Sequence, residues 1–111
     1  MTLKMKELPE SEKPYEKMEL YGAKKLSNTE LLAIIIKNGT KDISALTLAQ
    51  EVLALDYKNE NLSFLSELDI NDLIKIKGIG KIKAIQLLAV VELAKRINQP
   101  KKRNEYKIKT T

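Results

Sequence analysis

The chain has 111 residues and contains neither cysteine nor histidine. That excludes disulfides, Cys/His zinc sites, imidazole general bases and the common nucleophilic triads. Hydrophobic residues (43%) suffice for one core, while the charged fraction (32%) exceeds the roughly 25% of an average globular domain, so one well-hydrated domain is expected. The longest aliphatic run, residues 31–36, is far too short to span a bilayer, and the first six residues lack an apolar signal segment. The expectation is a cytoplasmic protein with no membrane partner.

In chain order, Pro14 suits a first helical turn, with Ser11 as a cap and Gly22 as a stop, which predicts a short helix over 14–21. Its apolar face would be Tyr15, Met18 and Tyr21 or Leu20. Ser27 followed by Glu30 is a capping-box pattern opening a helix over 28–37, which Gly39 would end by supplying a positive φ. Ala45, Leu48, Ala49, Val52 and Leu53 fall on one helical face of residues 44–55. A polar loop, a single turn at 63–68 and a second cap signature, Asp69 with Asp72, lead into a helix over 70–76. After Gly78 and Gly80, the positions Ala84, Leu87, Leu88, Val91 and Ala94 or Leu93 predict the longest helix, 81–97, which residues 98–100 stop. No stretch alternates with period two for long enough to form a strand. The fold is predicted to be all-α, a compact domain of five to six helices over residues 1–99, with residues 100–111 as a basic linker or tail.

A shift of 39 residues superposes the two halves: Leu31 falls on Ile70, Ile34 on Leu73, Ile35 on Ile74, Gly39 on Gly78, Ala45 on Ala84 and Leu48 on Leu87. Each half reads as helix, glycine turn, helix. The match fails at Thr40-Lys41, which stands where Ile79-Gly80 stands in the second copy. Charge divides the chain as well. Residues 1–69 hold 9 Lys and 12 Asp+Glu, a net −3, whereas residues 70–111 hold 11 Lys+Arg and 3 acids, a net +8. Lys75, Lys77, Lys81 and Lys83 surround the second pair of glycines. There, Gly78 and Gly80 let a partner approach the backbone closely, and Ile79 can tuck between the helices. The amides at the start of the next helix, together with its dipole, favour an anion. A phosphate is the natural occupant.

The segment from Leu73 to Leu87, with its apolar-x-Gly-apolar-Gly-x-x-x-Ala core, resembles the helix-hairpin-helix motif of DNA-repair and replication proteins. More widely, Glu7-Leu-Pro-Glu-Ser-Glu-Lys-Pro14, Tyr21-Gly-Ala23, Leu26-Ser-Asn-Thr-Glu-Leu-Leu-Ala-Ile34 and Asn38-Gly-Thr40 resemble the N-terminal domain of the bacterial RadC family. The resemblance implies a tandem helix-hairpin-helix arrangement, with a degenerate hairpin near 38–44 and an intact one at 76–81. In that family such a domain precedes a metal-dependent JAB1/MPN-type domain with a His-x-His and Asp zinc motif. This chain has no histidine and so cannot carry that hydrolase site; it is expected not to be an enzyme and to need no cofactor. Lys77 departs from the proline that many hairpins carry.

The resemblance further implies weak DNA binding without sequence preference, through the phosphate backbone. The residues carried over are Lys77, Gly78, Ile79, Gly80, Lys81 and Lys83. Related hairpins sometimes hold a monovalent cation on backbone carbonyls; the matching positions are Ile74, Ile76 and Ile79. The competing expectation is a protein-docking module that positions a JAB1/MPN domain, its surface formed by Tyr15, Met18, Leu20 and Tyr21. Asp69 and Asp72, which could be imagined as an acid/base or metal pair, are better explained as helix caps.

Overall fold

The computed structural model describes residues 13–56 and 61–100. They form five α-helices: α1 (Pro14–Tyr21), α2 (Asn28–Ile36), α3 (Ala45–Leu53), α4 (Ile70–Ile74) and α5 (Lys81–Ile97). Two 3-10 turns, Ala23–Lys25 and Leu62–Glu67, link them, and there is no strand among the described residues. The all-α expectation holds. Ser11, residues 57–60 of the polar loop expected at 56–61, and residues 101–111 of the basic tail lie outside the described residues.

Local chemistry sets most helix starts. Ser27 accepts the Glu30 amide at 3.1 Å while the Glu30 carboxylate accepts the Ser27 amide at 2.8 Å, a reciprocal cap on α2. Asp69 and Asp72 do the same for α4, both at 2.9 Å, which accounts for the two carboxylates without acid/base or metal chemistry. Ser44 caps α3 by accepting the Thr47 amide. α1 begins differently from the expectation: its cap position is Lys13 rather than Ser11, and no side chain caps it. Pro14 has no amide to satisfy there, and it is fully buried.

The core joins α2 through Ala33 and Ile36, α3 through Ala45, Leu48, Ala49 and Val52, the α4 region through Leu73, Ile76 and Ile79, and α5 through Ala84 and Leu87. Each large aliphatic side chain removed from water there contributes roughly 1.5–3 kcal/mol before entropic costs. The alanines let α2, α3 and α5 approach closely, and α2 packs most extensively against α3.

Three expectations need correcting. The first is the face of α1. Tyr15, Leu20 and Tyr21 are 49%, 61% and 56% exposed, so this face does not pack on the core. α1 is held instead by buried Pro14, by a Lys17–Glu30 ion pair at 3.0 Å, and by the Tyr15 hydroxyl donating to the Ile34 carbonyl at 3.4 Å. The second is the end of α2, where Lys37, not Gly39, carries the positive φ (75°, ψ −65°). The Asn38 amide donates to the Ile36 carbonyl at 2.9 Å, closing a strained γ-turn around Lys37. The third is the internal register. Ala45/Ala84 and Leu48/Leu87 match as core pairs at a 39-residue shift, but the buried residues of α2, Ala33 and Ile36, correspond to Leu73 and Ile76 at a shift of 40. Ile34 and Ile35 are only half-buried and Ile74 is exposed, because one residue fewer separates the two core faces in the second half.

Candidate nucleic-acid interface

α4 ends in a compact turn. The Ile76 amide donates to the Leu73 carbonyl at 3.1 Å, and the Ile79 amide to the Ile76 carbonyl at 3.0 Å. Ile79, 3% exposed, is driven into the core and anchors the turn. Gly80 then stands at the N-cap of α5 in extended conformation, its carbonyl taking the first helical hydrogen bond from the Ala84 amide at 3.0 Å. Of the three carbonyls matched to a monovalent cation, that of Ile76 already accepts this turn bond.

The two glycines have different jobs. Gly78 has φ +101°, and a Cβ placed on it would come within 2.8 Å of Leu48 Cδ2 and 3.2 Å of Thr40 Cγ2. Its missing side chain is therefore required by packing, since this is where the second turn presses on the first. A Cβ on Gly80 would meet nothing within 4 Å, and the residue is exposed. The open approach is at Gly80 and the first turn of α5.

That helix start is chemically bare. α2, α3 and α4 each begin under a side-chain cap, whereas no side chain caps α5. The first turn of a helix has amides with no carbonyl of its own helix to reach, and at α5 these belong to Lys81, Ile82 and Lys83. The dipole of a 17-residue helix adds a partial positive charge at the same place. Lys75, Lys77 and Lys81 are exposed around it and make no ion pair among the described residues. At the other end of α5 the charges are matched: Glu92 accepts from Arg96 at 3.0 Å and lies 3.7 Å from Lys95. The Arg96 hydrogen bond, aided by the Lys95 charge, holds the Glu92 carboxyl below its ordinary value.

Lys83 does not join this cluster in the way its position suggests. Its ammonium donates to the Ile36 carbonyl at 3.0 Å, and Gln86 Nε2 donates to the Ile35 carbonyl at 3.4 Å. These two side chains satisfy the last carbonyls of α2 across 47 and 51 residues of sequence. The sequence does not announce this role; its one hint is that the last turn of α2 carries no basic side chain of its own to meet the free carbonyls.

The first turn is closed by contrast. Thr40 Oγ1 accepts the Asp42 and Ile43 amides at 3.2 and 3.0 Å, and the Thr40 amide donates to the Ile43 carbonyl at 2.8 Å. A Cβ on Gly39 would run into the Ile43 carbonyl oxygen, so the chain folds back on itself there. With Ser44 on the α3 cap, no comparable bare amide group is presented. The described residues bring together no group of three or more metal-ligating side chains, and none of their helices is long and apolar enough to cross a membrane.

Residues 5–85 match the family model described as UPF0758 N-terminal. A UPF0758 protein of Alkaliphilus metalliredigens (strain QYMF) is 48% identical over 106 residues, covering 96% of this chain and 45% of the relative. One from Alkaliphilus oremlandii (strain OhILAs) and one from Clostridium botulinum (strain Hall) are each 46% identical over 107 residues, covering 96% of this chain and 45% and 46% of theirs. The chain thus spans about half the length of the curated relatives it matches. No solved structure matches it. With most of its length under one family model and close relatives over nearly all of it, the chain belongs to the UPF0758 N-terminal family.

Proposed function

We propose that this chain is the helix-hairpin-helix module of a RadC-like protein and binds DNA weakly, without sequence preference, through the phosphate backbone. The observation that carries the reading is the uncapped, solvent-open start of α5 beside Gly80, ringed by Lys75, Lys77 and Lys81. A phosphate oxygen seated there would accept from the free amides, and the lysines would supply the longer-range attraction. Nothing in the turn presents a rigid donor and acceptor set to base edges, so the binding is of the kind that positions rather than reads. A role in DNA repair follows for the whole protein as an extension of this reading.

The test is titration of labelled single-stranded, duplex and branched DNA at two salt concentrations. Neutralising two or three phosphates predicts a slope of log K against log salt of about −2 to −3. An affinity that does not change with salt would overturn the proposal. A second reading, docking of a JAB1/MPN domain, is favoured by the exposed Tyr15, Leu20 and Tyr21 of α1. It predicts that replacing these three side chains by serine leaves DNA affinity unchanged and abolishes association with such a domain.

A further inference from the structure

The loop between α2 and α3 is pinned beside the bare start of α5 at two points. Upstream, the Ile36 carbonyl accepts the Lys83 ammonium at 3.0 Å, so the backbone entering Lys37 lies within one lysine side chain of the first turn of α5. Downstream, a Cβ on Gly78 would meet Thr40 Cγ2 at 3.2 Å, so the residue before Lys41 rests against the second turn, next to Lys77. Lys37 and Lys41 are therefore held on the α2 side of the α5 start. Both are exposed, and neither makes an ion pair or a side-chain hydrogen bond among the described residues. Asp42 is the acid of this loop, and it pairs with neither.

Lys37 stands apart in a second respect. Among the described residues it is the non-glycine position with positive φ, 75° with ψ −65°, a backbone that side chains with a Cβ rarely adopt. Glycine would close the same γ-turn without that strain. An exposed lysine adds nothing to the core in exchange, so what this position supplies is a cation. With Lys75, Lys77 and Lys81 on the other sides, the two loop lysines complete a ring of exposed charge around the free amides of α5. The first turn, whose own amides are closed, holds no phosphate by itself; it lends side chains to a polyanion seated on the second.

We propose that Lys37 and Lys41 contact phosphates of the same DNA backbone, an inference that rests on the reading of the α5 start as its anchor. The test is titration of labelled duplex DNA across a salt series, with unfolding of each variant in denaturant. Lys37→Gly and Lys41→Ala should each lower the salt slope by about 1. Lys37→Gly should also raise the unfolding midpoint, since it relieves the strained φ, and Lys37→Arg should keep the parent's slope. Lys24→Ala is the control: Lys24 precedes the opposite end of α2, about 13 Å away at helical rise and beyond a screening length of about 8 Å, so the slope should not change. A slope unchanged by Lys37→Gly or Lys41→Ala, where Lys81→Ala lowers it, overturns the assignment of that lysine and leaves the α5 anchor standing. A midpoint that falls in Lys37→Gly overturns the proposal for Lys37, because the lysine then serves the fold. A slope lowered equally by Lys24→Ala overturns it for both, because general charge then replaces contact. A parent chain whose affinity is indifferent to salt removes the anchor and this inference together.

Discussion

The turn between α2 and α3 and the turn between α4 and α5 begin from similar patterns, helix then glycine then helix, and end in opposite chemical states. In the first, Thr40 and Ser44 hydroxyls take up the free amides, Gly39 is wedged against the Ile43 carbonyl, and Lys37 bears a strained φ. In the second, helix begins one turn earlier relative to the core: Ala84 occupies the core position of Ala45, but three helical residues precede it. Those three residues carry the bare amides. A duplicated pattern thus conserves the packing positions while the polar groups decide which copy can meet a ligand. The closed turn has become the surface on which Gly78 rests, so one copy serves as the support of the other.

The contrast is most sharply tested at the glycines. Gly39→Ala should cost about 3 kcal/mol, because backbone must shift to admit the methyl group, and Gly78→Ala about 2 kcal/mol from positive φ and contact with Leu48 and Thr40. Gly80→Ala should cost well under 1 kcal/mol by chemical denaturation; equal losses at all three would erase the distinction. Next in size is Gly80→Ser, which gives α5 the cap that α2 and α3 possess. DNA affinity should fall several-fold, about 1 kcal/mol, while stability rises by a few tenths, and unchanged binding would remove the bare amides from the account. Lys81→Ala should reduce the salt slope by about 1 with little change in stability. Lys83→Ala should instead cost about 1 kcal/mol of stability and leave the slope nearly intact, since its ammonium is engaged by Ile36. If the two variants change the slope equally, Lys83 belongs to the interface after all.

The smallest effect concerns the ion pair that holds α1. Partial burial raises the Glu30 carboxyl, but the Ser27 amide and the Lys17 ammonium outweigh it and hold it below its ordinary 4.5. A carboxyl depressed on folding stabilises fully above that value, and the contribution is lost as pH falls through its lowered folded value. Lys17→Met should therefore remove about 0.5 kcal/mol at pH 7 and almost nothing at pH 2, read as the difference in unfolding midpoints.

Much of the fold is legible locally. The reciprocal caps at Ser27/Glu30 and Asp69/Asp72 involve neighbours three residues apart, and the spacing of Ala45, Leu48, Ala49 and Val52 records the face they bury. The site is legible only in outline. That Gly78 packs and Gly80 stays open depends on Thr40 and Leu48, more than 25 residues away in sequence, which no local pattern encodes. Lys83 looks like one more cation of a basic run until α2 is placed beside it. The aromatic face of α1 misled because one buried proline and one ion pair, rather than an apolar stripe, secure that helix.

The reach of Lys83 and Gln86 across the molecule means that the two halves share their hydrogen-bonding accounts and should melt in a single cooperative transition. Any polyanion captured at the front of α5 would then raise the midpoint of the entire domain by mass action. A fluorescent reporter on α2, remote from the contact itself, would register the event as slower opening.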